Sequence, residues 1–258
     1  MLAWVVPMVQ EAVGEAAVDN CLTRNEWICG KYYSSRSDVL AQAILQHLGL
    51  VVASVVLGLL LAFPLGMLAR RYRSLESLVV GTTTAIYTIP SLALFSLLVP
   101  LTGLGPATVV LGLGLYSLTI LVRGILDGLR AVPPDVVESA RGMGYDGLRL
   151  LLRVQLPLAV PTIMAALRVT VVSAVALTTV GEILDYGGLG DLLVEGQQTS
   201  FKAQVLATSV LCVALAIALD LLLVLATRLM TPWNPRAPRA RRRRLRTVLA
   251  PLASGGSR

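Results

Sequence analysis

The chain carries no charged side chain between Glu76 and Arg123. A run of that length can cross a bilayer twice, at about 20 residues per helix. Three more apolar runs are also long enough to cross a bilayer, and each contains a single acidic or basic side chain. These are His47 in 39–69, Arg168 in 154–181 and Asp220 in 203–227. Lipid offers no partners to backbone polar groups, and no alternating strand pattern is visible, so these runs should be helices. The sequence predicts an all-α integral membrane protein.

Five spans account for the apolar runs, and basic clusters give their orientation. The predicted spans cover 45–69, 78–98, 107–126, 158–183 and 205–230. Only 14% of the 258 residues are charged, against about 25% in soluble domains, yet the net charge is +7. The arginines cluster after the first span, around 130–153 and from 228 onward, which the positive-inside rule assigns to the cytoplasm. We therefore expect a multi-pass protein of the cell membrane with its N-terminus outside and its C-terminus inside.

The two ends of the chain differ from the predicted permease domain at 39–230. Residues 1–38 lack the basic start of a signal peptide and are expected to form an extracytoplasmic, interfacial segment; a sixth span is the alternative. Cys21 and Cys29 would then lie in an oxidising compartment, either bridged or as free thiols. The basic tail at 231–258 is expected to meet membrane lipid rather than nucleic acid.

A charged segment interrupts the apolar chain at 128–157. Pro133 and Pro134 favour a helix start, and Asp135 and Glu138 place acids near its N-terminus, where the helix dipole stabilises them. One face of this helix is apolar and carries Val136, Val137, Ala140 and Met143. Gly142 and Gly144 can end the helix. Asp146 is placed to cap a second helix, which ends at Leu156 and Pro157. So short a helix is unstable alone, so it should dock on something.

The same segment resembles the EAA loop of ABC-importer permeases. The residues that match are Glu138, Ser139, Ala140, Gly144, Val154, Leu156 and Pro157, with Ser139 in place of the usual alanine. The resemblance implies a five-span type I ABC importer permease fold, in which this helix is a cytoplasmic coupling helix seated on an ATPase subunit. No phosphate-binding G-x-x-x-x-G-K-[ST] loop occurs in the chain. ATP and Mg are therefore expected on two partner ATPases, with no cofactor on this chain.

Residues 40–230 are similar, more loosely, to permeases of osmoprotectant importers, a branch that carries glycine betaine, carnitine, choline or proline betaine. The resemblance implies a second permease, identical or a sibling, and an extracytoplasmic binding protein. Within the ABC class, an importer of amino acids or methionine is the alternative. A more distant alternative is an ion-coupled secondary transporter. A membrane enzyme would need a clustered polar site, which the lone His47 and scattered acids do not supply.

Several charged and aromatic residues are candidates for the transport path. Arg168 and Asp220 lie within neighbouring spans and are expected to pair, or else to act in a gate. Tyr87 and Tyr116 either line the path or pack with bonded hydroxyls. Glu182, Asp185 and Tyr186 lie at the outer end of the fourth span, where they would contact either a binding protein or a quaternary ammonium. No catalytic or metal-binding residues are predicted.

Overall fold

The computed structural model describes residues 20–233, and every regular element in that range is a helix. The α-helices are α1 (Gly30–Ser35), α2 (Ser37–Arg71), α3 (Arg73–Thr88), α4 (Ser91–Thr102), α5 (Pro106–Arg130), α6 (Pro134–Gly142), α7 (Gly147–Leu150), α8 (Leu156–Thr178), α9 (Leu189–Gln198) and α10 (Lys202–Met230). Two short helical segments of other geometry cover Leu151–Gln155 and Thr179–Leu184. Residues 1–19 of the interfacial segment predicted at 1–38, and residues 234–258 of the basic tail predicted at 231–258, lie outside the described residues.

The predicted fold class is confirmed. Four helical stretches are long and apolar enough to cross a membrane: α2, α5, the stretch Gly147–Leu184 and α10. The pair α3 and α4 also passes this test, but the two helices are bent by 100° relative to each other. The described chain therefore has four candidate spans, or five if the bent pair counts as one.

The bent pair corrects the prediction of one continuous helix over 78–98. Ile89 has an extended backbone, with φ −67° and ψ 128°, and Pro90 follows it before α4 begins. The cause is local, because a proline disfavours helical geometry in the residue before it. A break within an apolar region exposes backbone groups that lipid cannot satisfy. The Tyr116 hydroxyl on α5 meets this need by donating a hydrogen bond to the Ile89 carbonyl.

The α5 helix forms the centre of the bundle and packs most extensively on α2 and α8. Its side chains Val122 and Ile125 are almost completely buried. Glycines allow the helix axes to approach closely: a Cβ added to Gly58 on α2 would lie 2.7 Å from the Ser117 Cβ on α5. Three further glycines also lie against a neighbouring helix: Gly66, Gly112 and Gly114. The α10 helix is peripheral, and the most apolar part of it has no buried residue.

The chain enters α8 without the break that the sequence predicts at Leu156 and Pro157. A wide helical turn over Leu151–Gln155 joins α7 directly to α8. Pro157, which has no N–H to donate to the preceding turn, lies just after this wide turn. The second helix of the charged segment and the predicted fourth span are therefore one continuous helical stretch.

Candidate functional site

The α6 helix presents one exposed face and one anchored face. Glu138 and Ser139 are exposed, whereas Ala140 is only 2% exposed. Val137 packs against the core cluster that contains the end of α5. Met143 is 72% exposed and Val136 39%, so the predicted apolar face is wrong at these two residues. The helix is thus docked on the bundle through a narrow contact and leaves its acid and serine free to meet another molecule.

A glycine turn ends α6. Gly144 has φ +86°, a left-handed conformation that side chains disfavour, and its N–H donates to the Arg141 carbonyl at 2.9 Å. The next N–H, of Tyr145, donates to the Ala140 carbonyl at 3.0 Å, which closes the helix end. Gly142 belongs to the helix itself. Asp146 is the N-cap residue of α7, as predicted, but its side chain makes no capping hydrogen bond.

The second half of the sequence motif lies where the charged segment joins α8. Val154, Leu156 and Pro157 are half-buried at the start of the long α8 stretch. Between them, Gln155 is buried and its Oε1 accepts a hydrogen bond of 2.7 Å from Arg70 at the end of α2. Sequence reasoning missed this bond, because nothing local indicates that residues 85 positions apart meet. The bond fixes the base of the charged segment to α2.

Tyr87 and Tyr116 form an edge-to-face pair where α3 meets α5. Their ring centroids are 5.6 Å apart, at an interplanar angle of 74°. Tyr116 is buried, whereas Tyr87 is 44% exposed. A small cavity beside the rings is also lined by Ser117 on α5 and by Thr170 and Ser173 on α8. The structure thus joins both predicted path residues to one small, mainly apolar cavity near the bend between α3 and α4.

Arg168 and Asp220 are in direct contact, which joins α8 to α10. The Arg168 Nε and Nη2 atoms donate to the two Asp220 carboxylate oxygens at 2.7 and 2.8 Å. This two-pronged geometry is the strongest form of an arginine–carboxylate pair. A third charge within a span, Arg123, donates to the Thr84 hydroxyl at 2.9 Å.

The residues predicted at the outer end of the fourth span lie on an exposed turn. Asp185, with φ +58°, and Tyr186 are exposed, and Glu182 is half-buried. Asp191, which the sequence did not single out, organises the turn by accepting hydrogen bonds from the N–H groups of Gly187 and Gly188 at 2.6 and 3.0 Å. Burial raises the pKa of the Asp191 carboxyl, and these two hydrogen bonds oppose that rise.

His47 ties this turn to two spans. The imidazole is completely buried on α2, with Nδ1 3.1 Å from the Gly187 carbonyl and Nε2 3.1 Å from the Val175 carbonyl. A neutral imidazole has one N–H, so it can donate to only one of these carbonyls. The sequence marked His47 only as the lone histidine, because its two partners are backbone groups that no side-chain pattern indicates.

The first described residues form a closed loop against the turn between α9 and α10. A disulfide joins Cys21 to Cys29, with 5.4 Å between their Cα atoms. The Asn25 side chain donates to the Ser200 carbonyl and accepts from the Lys202 N–H, both at 2.9 Å. Within residues 20–233, no three His, Cys, Asp or Glu side chains converge to hold a metal ion.

Comparison with known proteins gives consistent matches. The family model described as "Binding-protein-dependent transport system inner membrane component" matches residues 43–236. The chain is 36% identical to the glycine betaine/carnitine/choline transport system permease protein OpuCD of Bacillus subtilis, over 79% of this chain and 89% of that protein. It is 35% identical to the osmoprotectant import permease protein OsmW of Salmonella typhimurium, over 78% and 96%.

Solved structures share the fold at low sequence identity. The inward-facing MetNI methionine ABC transporter has a chain that superposes with a TM-score of 0.65 at 20% identity, covering 78% of this chain and 99% of that one. At this level of identity, the likeness shows the fold alone.

Proposed function

Because the chain belongs to the family of inner membrane components of binding-protein-dependent transport systems, we propose that it is the permease of an ATP-driven importer of quaternary-amine osmoprotectants. As a family member it is a multi-pass, non-catalytic membrane subunit that works with an ATPase and a binding protein. Glycine betaine, carnitine and choline are the substrates named for its relatives at 33–36% identity, which supports this substrate class. Membership of this family argues against the alternative of an ion-coupled secondary transporter.

The exposed face of α6 is the observation that carries the coupling proposal. Glu138 and Ser139 are free to enter a cleft of an ATPase subunit, while Ala140 and the Gly144 turn hold the helix on the bundle. Two ATPases, with ATP and Mg bound to them, would grip the α6 helices of two permeases, either identical or siblings. Closure of the ATPases would move each helix and, through the continuous α7–α8 stretch, the bundle above it.

The proposed orientation places α6 in the cytoplasm and the turn over 185–191 outside. Arg141, Arg149 and Arg153 surround the α6–α8 junction, whereas the turns at 103–105 and 185–188 carry no basic residue. A reporter that is active only outside the cytoplasm should work when fused at Gly103 or Gln197. It should fail when fused at Tyr145 or Trp233. An active Tyr145 fusion would contradict both the orientation and the coupling role.

Two regions are proposed along the route of the substrate. Exposed Asp185 and Tyr186, with Glu182 behind them, would receive the loaded binding protein. The Tyr87 and Tyr116 pair would line the path below, because its pocket lies at the break between α3 and α4. Aromatic rings offer a quaternary ammonium a face that attracts it without binding it tightly.

Reconstitution of the complete complex tests the function. A ligand shifts a conformational equilibrium only by binding one state better, so docking of the loaded binding protein should stimulate ATP hydrolysis. Betaine-type solutes added with that protein should raise the rate, and methionine should not. Stimulation by methionine alone would favour the amino-acid alternative. Uptake that continues without the ATPase and stops when ion gradients are dissipated would overturn ATP coupling altogether.

A further inference from the structure

A cleft of about 830 Å³ opens beside the α6–α8 junction. One wall is the end of α2, and the other is the segment from the Gly144 turn to the start of the α8 stretch. Three arginines line it: Arg70 and Arg71 on α2, and Arg141 on α6. None of the roles proposed above uses this cleft.

The arginines of the cleft have no acidic partners in the described part of the chain. Arg70 donates to the neutral Gln155, and the Arg71 guanidinium lies 5.6 Å from the ring centroid of Tyr72. The Arg141 guanidinium makes no hydrogen bond or ion pair with residues 20–233. The cleft also contains the Asp146 carboxylate, which forms no ion pair with any of the three. An excess of positive charge therefore faces an open cavity, which favours an anion.

The same cleft exposes apolar side chains that a small soluble anion would leave in water. Leu148 is 68% exposed and Leu152 49%, and Phe63 and Met67 extend the apolar surface along α2. Phe63 and Met67 precede the arginines on a membrane-spanning helix, so the apolar part lies on the membrane side of the charged part. A ligand that matches both parts has an anionic head and hydrocarbon chains.

We propose that this cleft binds an anionic phospholipid, with its phosphate between Arg70, Arg71 and Arg141 and its acyl chains along Phe63 and Leu152. Basic pockets at the ends of membrane helices suit such headgroups. Residues 144–147 form part of the wall, so a bound lipid braces the turn that ends α6. The inference goes beyond the proposed function, and its test measures binding, so failure of the transport proposal would leave the test intact.

The test uses the full transporter complex in nanodiscs that contain photoactivatable phosphatidylglycerol in a phosphatidylcholine background. Labelled peptides are mapped by mass spectrometry. We expect lipid adducts in peptides from 63–71 or 144–155. Arg71→Gln and Arg141→Gln should each lower the labelling of these peptides by about fivefold. The matched control is Arg149→Gln with Arg153→Gln, which removes the same charge from exposed arginines of the same segment that do not line the cleft. The control should label as the wild type does.

Several outcomes would overturn the lipid site. Equal losses in both pairs of variants would indicate general attraction to a charged surface, and no loss in either would show that the arginines do not bind lipid. Competition by glycerol phosphate, which has the head without the chains, would indicate a soluble phosphate ligand. Labelling of the permease alone that vanishes when the ATPase is added would show that the cleft is part of a protein interface. Because labelling reports binding, a variant with impaired transport still gives a decisive result.

Discussion

Replacing Gly58 with alanine should force apart the most extensive helix contact of the bundle. The added Cβ would lie 2.7 Å from the Ser117 Cβ and 3.3 Å from both the Gly114 carbonyl oxygen and the Leu121 side chain. Carbon atoms attract at about 3.5–4.0 Å, so α2 and α5 must separate by about 0.8 Å. Overpacking of this kind costs about 1–3 kcal/mol.

A glycine on the same helix provides the control. Gly49 also lies in α2, but a Cβ there would meet nothing within 4 Å. Both alanines gain up to about 1 kcal/mol of helix propensity, so the difference between Gly58→Ala and Gly49→Ala isolates the crowding. At about 2–4 °C per kcal/mol, Gly58→Ala should unfold several degrees below Gly49→Ala.

Cys212 makes the measurement direct. It is the free cysteine of the described chain and lies half-buried in α10, whereas Cys21 and Cys29 are bridged. In a complex whose partner subunits lack cysteine, a thiol-reactive fluorophore reports the temperature at which the bundle opens. Ser117→Gly removes the opposing Cβ and should recover part of the loss in the double variant. Equal melting temperatures for the two alanine variants would refute the packing explanation.

Three other perturbations test separate parts of the molecule. Gly144→Val should abolish binding-protein-stimulated ATP hydrolysis and Gly144→Ala should reduce it, because both side chains are strained at φ +86°. The control Gly142→Ala lies within α6 and should retain the stimulation. Full activity of Gly144→Val would contradict the role of the turn. Asp220→Asn should lower the amount of inserted protein several-fold, because it leaves Arg168 unpaired. Exchanging the two charges should restore the amount of inserted protein. The absence of any recovery would show that loss of the ion pair does not cause the defect. His47→Leu should speed amide hydrogen exchange at 187–191 by about tenfold, since an unpaired buried carbonyl costs about 1–3 kcal/mol. Unchanged exchange would show that the contact between His47 and the Gly187 carbonyl does not stabilise the turn.

The features that depend on local sequence could be predicted well. Uncharged runs locate the spans, and Pro134 and Gly144 mark the limits of the exposed helix. The break at Pro90 could also have been predicted, since a proline disfavours helical geometry in the preceding residue, Ile89. The hydrophobic pattern nevertheless predicts a continuous helix, because the surrounding run is apolar throughout. Position in a hydrophobic run says where a helix crosses the membrane, and it does not say whether that helix is continuous.

The features that depend on distant contacts could not be predicted from the sequence in the same way. Arg168 and Asp220 were expected to pair because an unpaired charge within a span is costly, and each is the one charge in its apolar run, 154–181 or 203–227. No comparable rule singles out Arg70 for Gln155, or His47 for two backbone carbonyls. Those bonds follow from how α2 lies against α8, which single residues do not encode.

The clasp of the Asn25 side chain on Ser200 and Lys202 fixes the order in which the molecule can be completed. The disulfide that closes the loop spans only eight residues, so it can form as soon as both cysteines are available. Its docking partners follow Asn25 by 175 and 177 residues, and a ribosome that adds about 5–20 residues per second needs on the order of ten seconds or more to supply them. The loop is therefore among the first parts of the described chain to be made, and it can dock on the α9–α10 turn only after the first residue of α10 has been made.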